Sequence, residues 1–186
     1  MDIRCFISIN LDEYTQKKVG DIIDVLNKYE ADIKWVNPEN LHLTLKFLGN
    51  TPEERLNLIK EALENVASKY HPFYTKIKGM GVFPNKRYPR VLWVGVENKE
   101  ILIEIQRQVE TEMSFIGYKK EQKEFSPHVT IGRARSSFRI QNVLECLDSY
   151  KDYDFGILCV KNIYIMRSDL NPKGPKYTKL YEISLK

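Results

Sequence analysis

Apolar residues recur along this chain with two periods, and the switching between them lays out the elements. Ile3, Cys5, Ile7 and Ile9 occupy every second position up to Leu11, the spacing of a strand with one face in a core. Val19, Ile22, Ile23 and Leu26 then fall three and four apart, the stripe of an amphipathic helix. Asp12 stands where a cap is needed, and that helix is predicted to run to about Tyr29. Ile33 to Val36 is a short extended piece closed by the turn Asn37-Pro38. Period two returns with Leu41, Leu43, Leu45 and Phe47 on a core face and His42, Thr44 and Lys46 on the other, in a strand ending at Gly49-Asn50. Thr51-Pro52-Glu53-Glu54 predicts a helix start, with threonine as cap, proline in the first turn and Glu54 closing a capping box. Leu56, Ile59, Leu63 and Val66 form the apolar face of that helix.

The rest of the chain follows a similar order. Phe73 to Ile77 and Val91 to Val96 read as strands, separated by a basic, aromatic loop from Phe83 to Arg90. A helix is predicted from about Lys99 to Phe115, with Ile101, Ile105 and Val109 inward. His128, Val129, Thr130 and Ile131 alternate after Ser126-Pro127. A fourth helix covers Ile140 to Ser149, and strands are predicted over Phe155 to Val160, Ile163 to Arg167 and Tyr177 to Leu185, with a loop at 171–175. Strands alternating with helices in both halves point to a mixed α/β or α+β architecture. The recurring order predicts one bilobal domain over 1–186 with two pseudo-symmetric halves, about 1–90 and 91–186.

Two of the three histidines, His42 and His128, sit in matching frames, His-Leu-Thr-Leu and His-Val-Thr-Ile. In a strand, each frame places an imidazole and a hydroxyl on one polar face, two residues apart. A helix would not, because i and i+2 do not face each other there. Two imidazoles with ordinary pKa values near ~6.5 can divide general base and general acid between them at neutral pH. Thr44 and Thr130 can donate hydrogen bonds to the oxygens of a phosphate. Such a set suits a strained cyclic phosphodiester, whose opening needs positioning and proton transfer. His71, before Pro72, has no partner motif and reads as structural.

Composition narrows the field. The 186 residues are 42% hydrophobic and 29% charged, with a net charge of +4, an ordinary globular balance that suits a phosphate-bearing substrate without demanding nucleic acid. Cys5, Cys146 and Cys159 are scattered and form no CxxC pair, so neither a zinc site nor a disulfide framework is indicated. No HExxH or HxH pattern is present, and no metal or cofactor is expected. Met1-Asp2-Ile3-Arg4 lacks the layout of a signal peptide and no apolar run spans a bilayer, so a cytoplasmic location without membrane contact is expected.

His42-Leu-Thr-Leu-Lys-Phe-Leu-Gly49 and Ser126-Pro-His-Val-Thr-Ile-Gly-Arg133 resemble the signature motifs of the 2H phosphoesterases. Trp35-Val-Asn-Pro-Glu-Asn40, Gly81-Val-Phe-Pro84, Pro89-Arg-Val-Leu-Trp93 and Gly174-Pro-Lys-Tyr177 are similar to the RNA 2′,3′-cyclic phosphodiesterase branch, also called 2′-5′ RNA ligase. The resemblance implies an α+β fold, bilobal and duplicated, with two antiparallel sheets lining a central cleft and helices outside. It implies opening of an RNA 2′,3′-cyclic phosphate end to a 2′-phosphate, with His42 as proton donor, His128 as proton acceptor, and Thr44, Thr130 and Arg133 on the phosphate. Strand parity alone puts Arg133 opposite His128, and a bend at Gly132 would bring it round. Phe6, Phe83, Tyr88, Phe125 and Tyr177 are candidates for stacking on RNA bases, and Lys86, Arg87 and Arg90 for its backbone. A monomer is expected. The alternatives are a non-catalytic RNA- or nucleotide-binding module, and 2′-5′ ligation through the same site.

Overall fold

The computed structural model describes residues 1–171 and 174–186. In chain order it contains β1 (Asp2–Asn10), α1 (Glu13–Asn27), β2 (Ile33–Trp35), β3 (His42–Pro52), α2 (Leu56–Ala67), β4 (Phe73–Phe83), β5 (Val91–Glu97), α3 (Glu100–Phe115), β6 (His128–Ala134), α4 (Ile140–Asp148), β7 (Asp154–Val160), β8 (Asn162–Asn171) and β9 (Gly174–Ser184). The expected loop at 171–175 lies partly outside the described residues; β8 reaches Asn171 and β9 starts at Gly174.

The sheet is antiparallel, in the order β7-β4-β5-β6-β3-β1-β8-β9, with β2 beside β6. Outward from the centre the two sides match: β6-β5-β4-β7 and β3-β1-β8-β9. The resemblance implies two antiparallel sheets; here the two four-stranded sides are joined into one sheet through a single residue pair, Leu43 with Val129. Beyond that pair β3 and β6 part, and β2 takes the vacated edge, pairing Ile33 to Trp35 with Ala134 to Gly132. The chain halves interleave across this junction. β4, from the first half, pairs with β5, and β8, from the second, pairs with β1. α1 packs near β7 and α3 against β3. Neither sequence half therefore completes its own sheet.

One sheet face carries the helices and the core. Ile3, Cys5, Ile7 and Ile9 of β1, Leu43 and Leu45 of β3, Leu92 and Val94 of β5, and Val129 and Ile131 of β6 are all buried there. Side chains of this size contribute about 1.5–3 kcal/mol each when fully buried. Val19, Ile22, Ile23 and Leu26 bury the stripe of α1, and Asp12 caps it by accepting the Thr15 N–H at 2.7 Å. Two expectations fail. Thr51 does not cap α2, because it pairs with Ile3 in the sheet and its hydroxyl lies between the Gly49 carbonyl and the Tyr118 hydroxyl. On α3, Leu102 takes the inward position with Ile105 and Val109, and Ile101 is exposed. His71 has its Nδ1 2.9 Å from the Lys186 carbonyl oxygen, at the end of the chain and away from the other two histidines.

Candidate active site

The pair Leu43–Val129 sets the geometry. Both side chains point into the core, so their neighbours His42, Thr44, His128 and Thr130 all share the opposite, helix-free face. Antiparallel register carried one residue each way sets His42 level with Thr130, and Thr44 level with His128. The two histidines then flank the pair on opposite strands, on the same face. The strand order outward from this pair matches on its two sides.

Each motif strand carries a bulge at the same place. In β3, Ser8 pairs with Thr44 but Ile7 pairs with Lys46, which leaves Leu45 extra. In β6, Trp93 pairs with Thr130 but Leu92 pairs with Gly132, which leaves Ile131 extra. An extra residue reverses the alternation beyond it. Lys46, expected on the polar face, therefore turns into the core, and Phe47, expected in the core, turns out and is 65% exposed. The same reversal puts Arg133 on the face of His128 and Thr130. The bulge at Ile131, one residue before Gly132, does what parity denied.

Both histidines are oriented in the same way. Nδ1 of His42 lies 2.7 Å from the Asn40 carbonyl oxygen, and Nδ1 of His128 lies 2.7 Å from that of Ser126. A carbonyl only accepts, so each Nδ1 carries hydrogen and each Nε2 is left for proton transfer. Asn40 also donates from its side chain to the Pro175 carbonyl at 3.1 Å, which ties this turn to the start of β9. Burial pushes the pKa of His42 below the ordinary histidine value; the Asn40 carbonyl opposes this and the nearby His128 adds to it. His128 is also lowered, chiefly by burial and further by the Arg133 guanidinium.

Aromatic rings back each imidazole. Phe6 lies 4.7 Å from His42 between centroids, and Tyr177 meets His42 edge-on at 5.2 Å. Phe83 meets His128 edge-on at 5.0 Å and lies 5.1 Å from Trp93. Phe6, a stacking candidate from the sequence, is only 3% exposed; enclosed by His42, Phe47 and Tyr177, it supports the His42 ring and offers no face to a base. Tyr177 is half-buried, with its phenol pushed up by burial and drawn back by the Arg133 and Arg4 charges. The loop cations are less directed. Lys86 pairs with Asp148 of α4, and Arg87 sits 5.3 Å over the Tyr88 ring. Arg90 is exposed, its carbonyl accepting from the Ala134 N–H at 3.0 Å.

Two contributors were not singled out from the sequence. Trp93 pairs with Thr130 and packs its indole close against Gly81 and Gly95; a Cβ on Gly81 would come within 2.3 Å of it. A glycine directly across from a strand tryptophan is the signal that marks such a platform. The other is the buried pair Lys46–Glu110 at 2.7 Å. Lys46 also donates to the Lys119 carbonyl at 2.9 Å, and Glu110 accepts the Glu121 N–H at 3.1 Å. This ties β3 to α3 and to the segment leading into Ser126 and His128. Among the described residues, no group of three or more His, Cys, Asp or Glu side chains is placed to hold a metal ion, and no helix is long and apolar enough to cross a membrane.

A helix-clad antiparallel sheet presenting two related His-x-Thr strands side by side defines a duplicated two-histidine fold. The family model for LigT-like phosphoesterases matches the chain twice, over residues 11–93 and 94–177. The chain belongs to this family, within the 2H superfamily. It is 37% identical over 180 residues to a Methanothermobacter thermautotrophicus protein, covering 97% of each, and 37% identical over 183 residues to one from Thermotoga maritima, covering 97% of this chain and 94% of the other. Both are named RNA 2′,3′-cyclic phosphodiesterase. Among solved structures, a protein of Thermus thermophilus superposes with a TM-score of 0.84 at 28% identity, over 98% of both chains. E. coli LigT in its apo form gives 0.74 at 22% identity, over 99% of this chain and 98% of that one, a likeness of fold.

Proposed function

We propose that this protein opens RNA 2′,3′-cyclic phosphate ends to 2′-phosphates, without a metal, through His42 and His128. The observation that carries the reading is the pair of imidazoles set on one sheet face beside the Leu43–Val129 pair, each ring held through Nδ1 by the carbonyl two residues before it so that Nε2 is left for proton transfer. His128 takes a proton from water as the water oxygen attacks phosphorus. The P–O3′ bond breaks, and O3′ leaves with the proton that His42 donates. The product carries a 2′-phosphate and a free 3′-hydroxyl. Thr44, Thr130 and Arg133 hold the non-bridging oxygens and stabilise the charge that builds on them. The relatives named RNA 2′,3′-cyclic phosphodiesterase, aligned over nearly the whole chain, support the substrate class. A single chain supplies both histidines, which suits a monomer.

The test is product analysis by mass spectrometry on an oligonucleotide with a 2′,3′-cyclic end, in the presence of excess chelator. A 2′-phosphate is expected. A 3′-phosphate would reverse the assignment of the leaving oxygen. Unchanged substrate across pH would leave a binding module, and a joined product with a 5′-hydroxyl strand would show the ligase direction.

A further inference from the structure

We propose that the buried Lys46–Glu110 ion pair is a positioning device for His128. It fixes the segment that carries the Ser126 carbonyl, and through that carbonyl it sets which ring nitrogen of His128 is left for proton transfer. The inference rests on the hydrolase reading above and adds a positioning pair to it.

The two imidazoles are held by the same kind of bond, but the carbonyls that hold them are supported differently. The Asn40 carbonyl belongs to a short local turn over Pro38–Asn40. There the Asn37 carbonyl accepts the Asn40 N–H at 2.8 Å and the Pro38 carbonyl accepts the Leu41 N–H at 3.1 Å. The Ser126 carbonyl stands near the end of a long connection between α3 and β6, in which residues 118–127 form neither helix nor strand. Lys119-Lys-Glu-Gln-Lys-Glu124 offers that connection no apolar side chain to bury. A stretch of this composition does not hold one conformation by its own burial, so its fixed points come from elsewhere in the fold.

Lys46 and Glu110 supply two of those points. Lys46 Nζ lies 2.7 Å from one Glu110 oxygen and donates to the Lys119 carbonyl at 2.9 Å. The same Glu110 oxygen accepts the Glu121 N–H at 3.1 Å, and the other accepts from the Gln106 side chain at 3.4 Å. Beyond them, Phe125 packs against the core just before Ser126. Replacing a buried ion pair by apolar residues of similar volume is often neutral or stabilising, so stability alone does not account for this one. What an apolar pair would lack is the two bonds to Lys119 and Glu121. Lys46 reaches them because the β3 bulge turns it inward. The first motif strand thereby steadies the histidine of the second. Without those bonds the Ser126 carbonyl loses its fixed place, and the His128 hydrogen is shared between Nδ1 and Nε2. His42 keeps its own turn and stays as it is.

The experiment compares wild type with the double variant Lys46→Met with Glu110→Leu, which fills the same space without a buried charge, and with Glu110→Gln, which can still accept from Lys46 and from the Glu121 N–H. Long-range proton–nitrogen NMR, at a pH where both rings are neutral, reads the tautomer of each imidazole; kinetics on an oligonucleotide with a 2′,3′-cyclic end read the consequence. In wild type both rings are expected to carry hydrogen on Nδ1. In the double variant His128 alone should become a tautomer mixture, with kcat lowered by up to about 10²-fold, the scale of a misplaced catalytic group, and KM nearly unchanged. Glu110→Gln should lie between the two, and it carries the same test if the double variant does not fold. A His128 ring that keeps hydrogen on Nδ1 in both variants would overturn the inference, as would equal changes in His42 and His128, or a mixed tautomer with unchanged kcat. A wild type that leaves the oligonucleotide unopened would remove the hydrolase reading, while the tautomers would still decide whether the pair orients His128.

Discussion

The two motif strands differ least where the chemistry is carried and most one turn of the pattern further on. β3 and β6 share the histidine, the threonine, the bulge and the carbonyl that fixes each imidazole tautomer. At the fourth and fifth positions after the histidine they part: Lys46 and Phe47 on one side, Gly132 and Arg133 on the other. Gly132 leaves room for Trp35 and Ile33, whose atoms would lie 2.9 Å from an added Cβ. Lys46 fills the equivalent place with a charge and needs Glu110 to meet it. Proton transfer requires two similar groups, whereas a substrate with two unlike ends requires unlike surroundings. A duplicated frame meets both demands when divergence is confined to the positions just outside it.

The largest effect should come from breaking the shared part. His42→Ala and His128→Ala are each expected to cut turnover by about 10²–10⁴-fold, with far-UV circular dichroism unchanged. Full activity in either variant would mean that the two motifs are not equal partners. Next comes Lys46→Met, which leaves the Glu110 carboxylate buried and unpaired and should cost about 3–5 kcal/mol in urea unfolding. The double variant Lys46→Met with Glu110→Leu should recover most of that loss, because no charge is then left buried alone. Equal destabilisation by single and double variants would deny the pair its role.

Arg133→Ala is expected to lower kcat/KM by about 10²–10³-fold, the size of a lost donor to developing charge, with Arg133→Lys between the two. A loss confined to KM would make Arg133 a uniform binder. The smallest effect is on pH. In the proposed mechanism the base is neutral and the acid protonated, so kcat/KM is expected to rise through the pKa of one histidine and fall through that of the other. Both are lowered by burial, so the maximum should fall below about pH 6.5, the ordinary histidine value. The same shift means that the unfolded chain takes up protons first as pH falls. Stability is then full above the unfolded value and declines on acidification. A kcat/KM plateau reaching above about pH 8 in the free enzyme would contradict the direction of both shifts.

Much of this was legible in the residues. Period two and period three-four placed the helices α1 and α3 and the strands β1, β5 and β6 within a few residues, because each of those elements buries a mainly apolar face. The His-x-Thr frames were readable because parity holds from His42 to Leu45 and from His128 to Ile131. It was lost beyond those points, and Lys46, Phe47 and Arg133 all landed opposite to simple alternation. A bulge depends on the partner strand, here β1 or β5, and no local pattern announces it. The Thr51 cap failed for the same reason: the local signal was sound, but pairing with Ile3 claimed the residue first.

The amino-acid order alone determined that two imidazoles and two hydroxyls lie on polar strand faces, since that follows from backbone geometry within four residues. It also carried the family resemblance, which rests on short contiguous motifs. Only the tertiary structure decided that the two faces are one face, through the Leu43–Val129 pair, and that halves of the chain exchange β4 and β8 to build it. Only it turned Lys46 inward and Phe47 outward. These outcomes depend on contacts between residues far apart in the chain, whose free energies no neighbouring sequence encodes.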